Sequence, residues 1–113
     1  MQAIYITNEK SAFVDDDDFE QLNKFYWSLT SITTKSGRII DYAIRSIAVD
    51  EIAILQPMHR DVMNTPEGLV THHINFCGLD NRKQNLRIMT NSEHLRLHSL
   101  LYWKNKRQSK QLV

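Results

Sequence analysis

Cysteine, glycine and proline are scarce in this chain: one, three and two residues among 113. A single thiol, Cys77, cannot close a disulfide within the chain and fits a reducing compartment. No apolar run approaches the roughly 20 residues needed to cross a bilayer. The stretch from Met1 lacks the basic-then-apolar order of a secretion signal. The expected location is therefore cytoplasmic, with no membrane partner. Gly37, Gly68, Gly78, Pro57 and Pro66 all fall where a turn, a loop or a strand end is expected. Internal repeats and low-complexity tracts are absent. With 42% hydrophobic and 24% charged residues, the composition excludes wholesale disorder. This length makes one domain, or one small domain with an accessory lobe, and a bound metal would add to the stability of a modest core.

The formal net charge of +1 conceals a division. Residues 1–57 carry five Lys/Arg against nine Asp/Glu, a net of −4, whereas residues 58–113 carry nine against four, a net of +5. A basic C-terminal half suits a polyanionic partner, because Lys and Arg that neutralise phosphates supply much of nucleic-acid affinity.

The pattern along the chain predicts an α+β fold. Residues 3–7 and 11–14 read as strands joined by an Asn8-Glu9-Lys10 turn. Asp15 to Asp18 precede a short helical stripe of Phe19, Leu22 and Phe25/Tyr26; as a charged helix entrance they cap free amides and favour the dipole. Further strands are expected at 27–33, 41–49 and 51–55, the last ended by Pro57, with a turn at Ser36-Gly37. A short helix at 59–64 and a turn at 65–68 lead to a strand at 69–74, a polar loop at 75–84 and a returning strand at 85–89. Thr90-Asn91-Ser92-Glu93 is a capping-box sequence that opens a final helix expected to reach Lys104 or beyond, with a basic end at Lys104-Asn105-Lys106-Arg107. Trp27, Trp103, Tyr102 and Tyr26 read as core or packing residues.

Against this background the histidines stand out. Four of the five lie within 27 residues: the doublet His72-His73, then His94 and His98. Positions i and i+4 share a helix face, so His94 and His98 can hold one divalent ion, with Leu97 and Leu101 on the same side to pack the helix on the hairpin. Successive strand residues point to opposite faces, so one member of the doublet can be a ligand while the other stands beside the ion. A metal next to an uncoordinated imidazole is the combination that hydrolysis needs. His59 alone reads as structural.

The segments Met58-His59-Arg60, Val70-Thr71-His72-His73-Ile74-Asn75, Leu79-Asp80-Asn81-Arg82 and Asn85-Leu86-Arg87-Ile88-Met89-Thr90, followed by His94, occur in an order that resembles the HNH endonucleases of phages and mobile introns. The resemblance covers residues 58–100. The doublet and His94-x3-His98 are also similar to the nuclease colicins. More loosely, the N-terminal half resembles the lobe that precedes the motif in free-standing phage enzymes. It implies two units: residues 1–57 as a β-rich accessory lobe with a short helix, and residues 58–113 as a ββα-metal (His-Me finger) nuclease motif.

Residue by residue, the resemblance implies His73 as the general base, His72, His94 and His98 as metal ligands, and Asn85 as the residue that braces the loop by hydrogen bonds. Arg87 becomes a phosphate contact. Where many relatives carry a second Asn, this chain has Cys77. The implied cofactor is one divalent ion, Zn²⁺, Mn²⁺, Ni²⁺ or Mg²⁺; three neutral imidazoles suit the transition metals better than Mg²⁺. The implied activity is hydrolysis of phosphodiester bonds in double-stranded DNA. Cutting both strands would require either a homodimer or sequential nicking. Two alternatives stand beside it: a metal-stabilised DNA-binding module without catalysis, and a structural-zinc interaction protein that ignores nucleic acid.

Overall fold

A computed structural model describes residues 1–7, 9–97 and 99–100. Two strands, β1 (Gln2–Thr7) and β2 (Lys10–Val14), pair antiparallel with Ile4 opposite Ala12. Alternation turns Ile4, Ile6, Ala12 and Val14 inward, while Tyr5 and Phe13 face out. Helix α1 (Asp16–Leu22) follows, and the Trp27 indole N–H donates to the Leu22 carbonyl at its end (2.8 Å). Next comes a meander of β3 (Ser28–Thr33), β4 (Ile39–Val49) and β5 (Ile52–Pro57), with β4 in the middle. Asp50 and Glu51 both take positive φ in the two-residue turn between β4 and β5, the backbone that a tight hairpin demands.

Helix α2 (Met58–Met63) starts directly after Pro57 and ends at Asn64 in the left-handed conformation. The Arg60 guanidinium donates to the carbonyls of Leu69 (2.7 Å) and Pro66 (3.2 Å), tying α2 to the following strand. A second hairpin pairs β6 (Leu69–His73) with β7 (Leu86–Thr90), and a 3₁₀ turn, Lys83–Asn85, precedes β7. Residues 91–97 and 99–100 are helical and form α3. At its start the Glu93 amide donates to the Thr90 hydroxyl (3.1 Å) and the Thr90 amide to the Glu93 carboxylate (3.4 Å), the reciprocal capping box expected there. Among the described residues no helix is long and apolar enough to cross a membrane.

Several local expectations change. The first helix stops at Leu22, so Tyr26 lies beyond its stripe and is 85% exposed rather than packed. Asp15 makes no side-chain cap; its carboxylate accepts the Lys83 amide (3.0 Å), and Asp18 accepts the Lys83 ammonium (3.2 Å). The acidic run thus meets the distant 3₁₀ turn through Asp15 and Asp18. Asn85 ends that turn and does not open β7, since its side chain is engaged in the loop. His98, Leu101, Tyr102, Trp103 and the basic 104–107 end lie outside the described residues, as does Asn8 of the first turn.

The core is shared across residue 57. Ile4, Ile6, Ala12, Val14, Leu22, Trp27 and Ala43 pack with Met58, and Val62 and Leu79 close over them. Met58 is fully buried. The 75–84 loop is also fastened to β2: the Phe13 amide donates to Leu79 O (2.8 Å) and the Asn81 amide to Phe13 O (2.7 Å). Met58→Ala should therefore cost about 2–5 kcal/mol, the usual range for removing a buried Met side chain. Urea unfolding in a Trp103→Phe background, followed by Trp27 fluorescence and by far-UV circular dichroism, should shift together; separated midpoints would show that the halves unfold independently.

Candidate functional site

The face of β3 and β4 that carries Thr30, Ile32, Ile40, Tyr42 and Ile44 lies across from the β6–β7 hairpin. Between them is a cleft of about 370 Å³, also lined by His59, Arg60, His72, His73, Phe76 and His94. Four imidazoles therefore meet at one cleft, drawn from α2, β6 and α3.

Strand geometry divides the doublet into two environments. His73, opposite Leu86, has its ring centre 4.8 Å from that of His59 and 5.7 Å from that of Tyr42. His72, opposite Arg87, lies 5.4 Å from His94 and 5.3 Å from Phe76. Both histidines are buried, 5% and 6% exposed, which is rare for a polar side chain without dedicated partners.

The partner of His73 is Asn81. Its Oδ1 lies 2.8 Å from His73 Nε2. A carboxamide oxygen only accepts, so Nε2 carries the proton and Nδ1 keeps its lone pair. Asn81 is itself completely buried, and its Nδ2 has no partner among the described residues. Burial pushes the His73 pKa below its ordinary value, opposed by the bond to Asn81 and the nearby Asp80 carboxylate. The imidazole is therefore neutral at pH 7, as a proton acceptor must be.

Asn85 organises the loop beneath. Its Oδ1 accepts the Asn75 amide (3.0 Å), and its Nδ2 donates to Asn75 Oδ1 (2.8 Å) and to the Asp80 carbonyl (2.9 Å). Asp80 in turn accepts two guanidinium bonds from Arg82 (2.7 and 2.8 Å), which hold its carboxyl below the usual range. The loop positions Asn81, so this network sets where the His73 ring is held.

Two of the implied metal ligands, His72 and His94, stand near one another in the cleft. Imidazoles bound to one tetrahedral ion through nitrogens at ~2.0–2.1 Å have ring centres roughly 5 Å apart, close to the 5.4 Å between His72 and His94. His98, the expected third ligand, lies outside the described residues, and among those described no group of three or more His, Cys, Asp or Glu is close enough to hold an ion. Arg87 is exposed on the His72 face of β7, and Arg96 is exposed on α3. Arg82 and Lys83 are engaged with Asp80 and Asp18. Cys77 is exposed on the loop, its amide donating to Asn75 Oδ1 (2.9 Å).

Sequence reasoning did not assign Asn81, Tyr42 or His59 to the site. Asn81 sits in the Leu-Asp-Asn-Arg segment, so the pattern contained a signal for it. Tyr42 and His59 come from elements whose packing no spacing rule reveals. Comparison of the chain with protein-family models, curated proteins and solved structures finds no match in any of the three.

Neutral buried imidazoles make stability pH-dependent. Burial, and then the nearby His73, Arg60 and His94, lower the His59 pKa to about 3, and His73 is lowered as well. The unfolded chain takes up protons on these groups below its ordinary value of about 6.5 while the folded chain resists. Stability should thus fall as pH drops from about 6.5 toward 4, before the lowered carboxylates Asp41 and Asp80 contribute. Urea midpoints in metal-free buffer should show this slope and its flattening in His59→Phe; equal slopes would contradict the assignment.

Proposed function

We propose that the chain is a metal-dependent endonuclease that hydrolyses phosphodiester bonds in double-stranded DNA. The supporting observation is a neutral, buried His73 with its proton held on Nε2 by Asn81, in the same cleft as the adjacent His72–His94 pair. One imidazole is poised to accept a proton, and two others are spaced as metal ligands. On this reading β6, β7 and α3 form the ββα-metal unit, with His72, His94 and His98 as ligands.

The reaction divides among the chain's own groups. His73 Nδ1 accepts a proton from the attacking water, and the bond from Nε2 to Asn81 stabilises the imidazolium that results. Asn85 holds the loop so that this geometry persists during attack. Arg87, exposed beside His72, binds a phosphate oxygen of the strand being cut. When bound, a divalent ion supplies Lewis-acid stabilisation of the charge that grows on the phosphate and on the leaving oxygen. The basic balance of residues 58–113 favours the approach of a polyanion.

The test is cleavage of supercoiled plasmid with Mn²⁺, Mg²⁺, Ni²⁺ or Zn²⁺. His73→Ala should lose about 10²–10⁴-fold in rate, the usual contribution of a general base, while retaining metal affinity by calorimetry. Undiminished cleavage would remove His73 from the role. His98→Ala and His94→Ala should instead weaken metal affinity, and unchanged affinity in either removes that residue from the ligand set. Binding of duplex DNA without cleavage under every metal would leave the non-catalytic binding module as the correct reading.

A further inference from the structure

The bond to Asn81 holds the His73 ring at one atom, Nε2. An imidazole tethered at one point can still pivot about that bond and about its own side-chain torsions. A proton acceptor needs more, because misplacement by about 1 Å can cost on the order of 100-fold in rate. The second restraint must come from packing against the ring itself.

Two side chains supply that packing, and both lie outside the β6–β7 hairpin. The His59 ring from α2 stands nearly perpendicular to the His73 ring, at 80°, with centres 4.8 Å apart. The Tyr42 ring from β4 touches both, 5.7 Å from each and tilted by 56° and 54°. The three rings form one cluster, in the offset and edge-on arrangements that aromatic rings prefer. Tyr42 is pinned from behind by Gly78, where a Cβ would stand 2.1 Å from the Asp41 carbonyl oxygen and 2.7 Å from the Tyr42 ring. The wall therefore cannot retreat toward the loop. His59 is held by the backbone of α2, whose first residue, Met58, is locked in the core. The ring contacts of His59 are with Tyr42 and His73.

We propose that His59 is a positioning residue: with Tyr42 behind it, its ring fixes the plane of the His73 imidazole so that Nδ1 holds a single direction. The name of base for His73 rests on the nuclease reading above; the ring contact does not. In this arrangement Asn81 selects the tautomer and His59 selects the orientation. The N-terminal half, through Tyr42, then takes part in the chemistry without touching substrate. The role is one of shape, and a flat ring without nitrogens should fill it.

Two readouts test the proposal. In histidine-¹⁵N protein at pH 7.5, long-range ¹H–¹⁵N spectra should show His73, assigned by its loss in His73→Gln, as one Nε2–H tautomer. His59→Ala should keep that tautomer, which Asn81 sets, but average the three-bond couplings that report the His73 side-chain torsions, and His59→Phe should restore a single set. In the plasmid assay His59→Ala should lose about 10–100-fold in kcat with metal affinity unchanged, and His59→Phe should recover at least about tenfold of that. Should His59→Ala not fold, His59→Leu, which keeps volume but not planarity, carries the same expectation. Unaveraged His73 torsions, or full activity, in the alanine or leucine variant would overturn the proposal. So would a phenylalanine variant no better than alanine, since the nitrogens would then be the essential feature. If the wild type cuts no DNA with any metal, the nuclease reading fails, and the spectra still decide the positioning role.

Discussion

The hydrogen bond between His73 Nε2 and Asn81 Oδ1 is the interaction on which the site depends. It joins a strand end to a loop, decides which imidazole nitrogen carries the proton, and keeps a buried polar ring satisfied. A buried donor left without an acceptor costs about 1–3 kcal/mol, so the bond is a requirement of the fold as well as of the chemistry. Its geometry is inherited from the loop. The Asn81 amide is bonded to Phe13 O, Asn85 bridges Asn75 and the Asp80 carbonyl, and Arg82 fastens Asp80. A polar network of this kind is stable only when nearly every member is paired; the Asn81 Nδ2, buried beside the cleft, is the atom of that carboxamide without a partner among the described residues.

The N-terminal half is more than a neighbour to this network. β2 gives the loop its backbone partner, the acidic stretch at Asp15 and Asp18 receives Lys83, and β4 contributes Tyr42 to the cleft. Met58 anchors the start of α2 within a core built from β1, β2, α1 and β4. Burial from both sides gives the cleft its low-dielectric character, and that is why His59 and His73 are held neutral. A hairpin alone could display the same histidines, but in water their protonation would follow the ordinary imidazole value.

Much of this was legible in the residues. The strands at Gln2–Thr7, Lys10–Val14 and Leu69–His73 follow from alternation, the capping box from Thr90 and Glu93, and the turn from Ser36-Gly37, because each is a local preference written in a few adjacent side chains. The divided environments of His72 and His73 follow from the two-residue period of a strand. Other features were not legible. Asp15 reads as a helix cap and becomes a partner of Lys83, 68 residues away. Tyr26 reads as packed and is exposed, because the helix that was to carry it ends at Leu22. In each case a long-range partner, or the lack of a continuing helix, outweighed a local preference that is worth at most about 1–2 kcal/mol.

The sequence by itself determined the order of strands and helices, the acidic and basic halves, and which imidazoles could share a hairpin-and-helix unit, since these depend on spacing along the chain. Only the tertiary structure decided which rings meet. It brought His59 and Tyr42 to His73, chose Asn81 as the acceptor, and buried the group deeply enough to keep it neutral. The physical reason is that desolvation and ring contact depend on what lies across a cleft, and that is set by packing among elements far apart in the chain.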